Sequence, residues 1–71
     1  MFENEIYNII VNSKNGIRRR SIADRANIWV ADNRLTDALQ NLLALKKVRT
    51  SLVRDAANME CYLLYHANEI V

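Results

Sequence analysis

Apolar residues recur at helical spacing through the first two thirds of the chain and change to a strand-like pattern in the last third. Phe2, Ile6, Ile9 and Ile10 lie three and four positions apart, which predicts a helix over about Phe2 to Asn12. Glu3 and Glu5 suit the positive end of its dipole. The β-branched Ile6, Ile9, Ile10 and Val11 leave a strand as the competing reading. The polar cluster Asn12 to Gly16 ends the segment, with Asn15 and Gly16 able to take left-handed backbone angles. Ile17 stands alone between Gly16 and three arginines, where it suits a short bridge to a sheet. Ile22, Ala23 and Ala26 share a second helical face, and Asn27 suits its C-cap. Ile28 to Ala31 form an apolar connection. Asp32 is then an N-cap, with Asn33 as competitor, for a helix from Asp32 to Leu45 striped by Leu35, Ala38, Leu39, Leu42 and Leu45. Lys46 and Lys47 suit its negative end.

Beyond Lys47 the period shortens. Val48 to Val53 and Met59 to Tyr65 read as two strands joined by the polar loop Arg54 to Asn58. An isolated hairpin is marginal in water, so it must pack on the helices. His66 to Val71 read as a frayed tail.

Length narrows the classes. The 71 residues allow one domain over 1–71, with a single small core and no space for a walled cofactor cleft. The chain is 51% apolar and 25% charged, which fits a folded soluble domain. The net charge of +2 permits a nucleic-acid partner without requiring one. Cys61 is the single cysteine, so neither an internal disulfide nor a structural zinc set is available. That composition, the lack of a long apolar run and the absence of a signal-peptide pattern at the start give a cytoplasmic, non-membrane expectation. His66 has no ligand cluster, Cys61 reads as a buried or half-buried thiol, and Ser13 and Ser21 have no base beside them. No cofactor, metal site or enzyme activity is expected.

The order helix, bridge, helix, turn, helix, strand, loop, strand resembles the winged helix-turn-helix family over nearly the whole chain. The resemblance is carried by Ile22 to Ile28 as second helix and turn, by Leu35, Leu39 and Leu42 as the apolar face of the third helix, by Val48-Arg49 and Tyr62-Leu63-Leu64 as wing strands, and by Gly16-Ile17 as the small first strand. The turn Ile28 to Ala31 is longer than the shortest family versions and contains Trp29, and Lys47 stands where glycine is usual before the first wing strand. In size and order the chain is similar to the small pap-type regulators of fimbrial phase variation; a phage- or plasmid-encoded regulator of the same size would look the same.

The resemblance implies an α+β fold and a sequence-specific transcription regulator that binds double-stranded DNA. In a helix-turn-helix the second helix of the pair enters the major groove. The outward positions of Asp32 to Leu45 are Asn33, Arg34, Thr36, Asp37, Gln40 and Asn41, among which Arg, Asn and Gln are side chains that read guanine or adenine. Any surface helix also shows polar residues outward. Arg18, Arg19 and Arg20 stand before the second helix, where cations and free amides suit a phosphate, although a solvated basic face is the common outcome for such a run. Arg49 and Arg54 flank the proposed wing, Arg49 as a phosphate contact and Arg54 at the tip to follow the backbone or the adjacent minor groove, with Asp55 beside it against that role. Asp24 is placed to pair with Arg20, four residues before it. Trp29 is expected under the turn in the core, with an exposed contact to a partner or to a DNA sugar as the other option. Leu43, off the main stripe, and Tyr7 and Tyr62 are candidates for a partner surface. A module this small touches few base pairs, so a homodimer or a partner regulator protein is expected. The alternative is a winged-helix module for protein–protein contact that binds no DNA.

Overall fold

The computed structural model describes residues 2–68. Three helices, α1 (Phe2–Val11), α2 (Arg19–Ala26) and α3 (Asn33–Ala44), precede an antiparallel hairpin of β1 (Val48–Asp55) and β2 (Glu60–Ala67). This is an α+β arrangement consistent with a winged helix. Ile6 and Ile10 of α1, Ile22 and Ala23 of α2, and Leu35, Ala38, Leu39 and Leu42 of α3 meet in one core, which Val48, Tyr65 and Ile17 close from the sheet side.

The punctuation follows from side-chain chemistry. Asp32 caps α3 by accepting the Arg34 amide at 2.8 Å. Asn27 ends α2 at φ 59°. The amides of Asn27 and Ile28 donate to the carbonyls of Asp24 and Ala23, closing the last turn on its own free carbonyls. The same motif ends α3, with a lysine in the glycine position. Lys46 sits at φ 61°, and the amides of Lys46 and Lys47 donate to Leu43 and Leu42. The residue anomalous for the turn into the hairpin is therefore Lys46 rather than Lys47.

Ile17 forms the expected bridge, exchanging both backbone hydrogen bonds with Tyr65 at 3.0 and 2.8 Å. Gly16 is at φ 89°, and a Cβ there would lie 2.5 Å from Cε1 of His66. Gly16 is thus needed both for its backbone angle and for space.

Several sequence expectations are corrected. The first helix ends at Val11, since Ser13 already turns back to Ile10. The second begins at Arg19, so Arg19 and Arg20 lie inside it and only Arg18 precedes it. The strands run longer, to Asp55 and Ala67, leaving a loop of 56–59. His66 is consequently a strand residue, 2.8 Å from the Ser51 hydroxyl, and Asn68 bonds the carbonyls of Lys46 and Lys47. Of the expected tail, 69–71 lie outside the described residues.

Trp29 is not in the core: it is 81% exposed. The left-handed Asn27 directs Ile28 against the core instead, and Trp29 only lends its carbonyl to a turn closed by the Asp32 amide. Leu45 is exposed because α3 stops at Ala44 and the chain reverses at Lys46, so Val48 fills the next core position. Cys61 is exposed because β2 reaches the core only at its far end.

Candidate nucleic-acid interface

The exposed flank of α3 divides into two stripes. Arg34, Asp37 and Asn41 line a shallow depression with Phe2 and Glu3 of α1. Asn33 and Gln40 are exposed without a hydrogen bond to another side chain among the described residues, while Thr36 between them is partly covered.

Thr36 is covered by Arg19. The Arg19 guanidinium donates to the Thr36 hydroxyl at 2.6 Å and to the Val30 carbonyl at 2.7 Å. One side chain thereby ties α2 to the turn and to the first turn of α3. The geometry gives Arg19 a positioning task that its sequence neighbourhood did not reveal.

Arg34 is held by Asp32 in a fork, Nη2 to Oδ2 at 2.9 Å and Nε to Oδ1 at 3.2 Å, and its guanidinium carbon lies 5.3 Å from the centre of the Phe2 ring. The Arg34 side chain and amide hold the Asp32 carboxyl below its ordinary 3.8 and raise the arginine in return. Arg34 is largely exposed, so the surface pair is exchangeable and Arg34 can trade Asp32 for another acceptor.

The arginine triplet does not act as a unit, because successive helical positions point in different directions. Arg18 leaves α2 toward the hairpin, where its guanidinium carbon lies 3.5 Å from the Tyr62 ring centre. Arg19 turns to α3. Arg20 is exposed, and its expected ion pair with Asp24 is absent from the described contacts, which hold one ion pair, Arg34–Asp32. Arg49 and Arg54 are both exposed but on opposite faces of β1, opposite His66 and Cys61 respectively.

A second basic feature joins Arg18 to two residues with no site role expected from the sequence, Lys14 and Arg25. Lys14, Arg18 and Arg25 line a groove of about 390 Å³ with Ser13 and Ser21, between the end of α1, α2 and Leu64 of β2. Arg25 donates to the Ser13 hydroxyl at 3.2 Å. The signal was present as helical spacing, since Arg18, Ser21 and Arg25 lie on one side of α2, but Lys14 joins them only through the turn at Gly16. No carboxylate lines this groove, which makes it suited to an anion.

At the wing tip, Asp55 accepts from the amides of Ala57 and Asn58 and from the Asn58 side chain at 2.9 Å, and these bonds, the Asn58 side chain first, keep its carboxyl below the ordinary range. Tyr7 lies 5.9 Å from the Lys47 ammonium, whereas Tyr62 serves Arg18, so the two tyrosines have separate contacts. Among the described residues no three His, Cys, Asp or Glu side chains gather as a metal site, and no helix is long and apolar enough to cross a membrane. The chain matches no family model and no curated protein sequence.

Proposed function

We propose that this domain is a cytoplasmic, sequence-specific double-stranded DNA-binding regulator of transcription, with α3 in the major groove. The observation that carries the reading is the exposed flank of α3, Asn33, Asp37 and Gln40 with Arg34, on a helix that Arg19 ties to α2. Asn and Gln read adenine, and Arg reads guanine, in the major groove. Arg20, Arg49, Arg54 and the Lys14–Arg18–Arg25 groove supply positive charge for phosphates. Thr36 and Arg19 support the reading helix rather than contact bases. No catalytic residue or cofactor is required.

The test is titration of the protein against random duplex DNA at low salt, followed by selection of a preferred site. Arg34→Ala is expected to weaken the selected site roughly ten- to a hundredfold and to relax its sequence preference. Arg25→Ala is expected to weaken all sequences alike and to reduce the salt slope by about one. Absence of binding at micromolar protein would overturn this reading.

The exposed Trp29 and Val30 favour a second reading, a protein–protein interaction module. That module would bind no duplex and would lose its partner on Trp29→Ala.

A further inference from the structure

The hairpin has an open edge. Tyr65 directs its amide and carbonyl at Ile17, so in the pair Thr50–Tyr65 neither residue bonds the other across the hairpin. By alternation the amides and carbonyls of Thr50, Leu52 and Arg54 also face away from β2. No strand covers that side of β1 among the described residues. Leu52 and its cross-strand neighbour Leu63 are 55% and 47% exposed, both on the face that carries Tyr65. An uncharged apolar edge of this kind invites indiscriminate pairing, yet β1 carries Arg49, Arg54 and Asp55.

We infer that β1 pairs antiparallel with β1 of a second copy of this chain, about a two-fold axis at Leu52. A two-fold axis perpendicular to the sheet keeps each residue on its own face, so only registers that pair like faces are allowed. Centring on Leu52 places Arg49 opposite Asp55 of the second copy, and Asp55 opposite its Arg49. These are non-hydrogen-bonded pairs, in which side chains approach most closely. Thr50, Leu52 and Arg54 then face Arg54, Leu52 and Thr50 of the second copy and exchange backbone hydrogen bonds. Leu63 and Leu52 of both copies line up as one apolar stripe. Within the strand the neighbouring registers lack this match: centring on Ser51 sets Arg49 against Val53 and Arg54 against Val48 and leaves Asp55 facing only Lys47, outside β1, and centring on Val53 sets Arg54 against Leu52. Only the Leu52-centred register pairs opposite charges within the strand itself. One strand pair buries less than a standard interface, so the dimer is weak and concentration-dependent. The occupant and register follow from β1 alone; in the dimer Arg49 is engaged with Asp55 and no longer free for phosphate, while the flank of α3 is unaffected.

The experiment is amide hydrogen exchange by NMR alongside sedimentation velocity, from micromolar to millimolar protein. The expected result is a monomer–dimer equilibrium in which the amides of Thr50, Leu52 and Arg54 gain protection with concentration, while those of Ser51 and Val53 are protected throughout. Arg49→Asp alone and Asp55→Arg alone are each expected to weaken dimerisation at least tenfold, and an equimolar mixture of the two to restore it, since both crossed pairs are again opposite in charge. Asp55 also organises the tip, so Leu52→Lys, at an exposed position, provides a disruption independent of that loop. A chain that stays monomeric at millimolar concentration, or a dimer that leaves the three edge amides unchanged, or Leu52→Lys dimerising like the parent, would each overturn the proposal.

Discussion

Tyr65 and Leu63 lie two residues apart on the same strand and the same face, yet Tyr65 is 9% exposed and Leu63 is 47% exposed. The hairpin is uniform in its alternation and divided in its environment. Its base has Val48, Tyr65 and the Ile17 bridge under the helices, while its outer half has Leu52, Leu63, Cys61 and Met59 in solvent. Alternation determines which side chains share a face. Whether another element covers that face depends on how far the hairpin outreaches the helices.

This contrast predicts its own largest effect. Tyr65→Ala should cost about 3–5 kcal/mol and leave this small domain close to unfolded, whereas Leu63→Ala should cost less than about 1 kcal/mol. Urea denaturation of the two variants checks the pair, and equal costs would show that the outer half is covered in solution. Next in size is Gly16→Ala at the base. Its strained φ and the contact with His66 should cost about 1–3 kcal/mol in the same measurement. Arg19→Ala should lose about 1 kcal/mol through its bonds to Thr36 and Val30, and Arg20→Ala next to it should stay within about 0.5 kcal/mol. If Arg20 proves the costlier of the two, the positioning task assigned to Arg19 is wrong.

Smaller still are two effects at the ends of elements. Lys46→Gly should stabilise by up to about 1 kcal/mol, because glycine enters the left-handed region freely and removes strain at the α3 end. Thermal melting reads the gain. The last effect is on acid stability. Asp32 and Asp55 titrate below 3.8 in the folded chain, so their stabilisation is present above that value and is lost as pH falls through their lower folded values. The midpoint of an acid melt of Asp32→Asn should therefore depend less on pH below 4 than that of the parent.

Local chemistry made much of the fold legible. The cap at Asp32, the left-handed Asn27 and the leucine stripe of α3 each follow from neighbours a few residues away, and each is where the sequence pattern places it; the lone apolar Ile17 marked its bridge, although its partner Tyr65 lies far along the chain. The failures have a common cause. Trp29 and Leu45 are exposed because the backbone turns at Asn27 and Lys46 send Ile28 and Val48 into the core instead, and Cys61 because β2 outreaches the helices; apolar spacing alone encodes neither a turn's direction nor a strand's reach. The candidate site was legible to a lesser degree for the same reason. The polar flank of α3 could be read from its period, but the division of Arg18, Arg19 and Arg20 among β2, α3 and solvent is set by contacts far along the chain. Lys14 and Arg25 escaped notice because only the turn at Gly16 brings them into one groove.

The bridge between Ile17 and Tyr65 also governs how the chain comes into being. During synthesis α1, α2 and α3 emerge first, with Ile22 and Leu35 lacking the side of the core that the sheet supplies. Strand β2 joins Ile17 only after Tyr65 has left the ribosome, so the sheet side of the core stays open until then. A nascent chain stalled before Tyr65 exposes its apolar face to chaperones and proteases, and completion of a single antiparallel bridge ends that exposure.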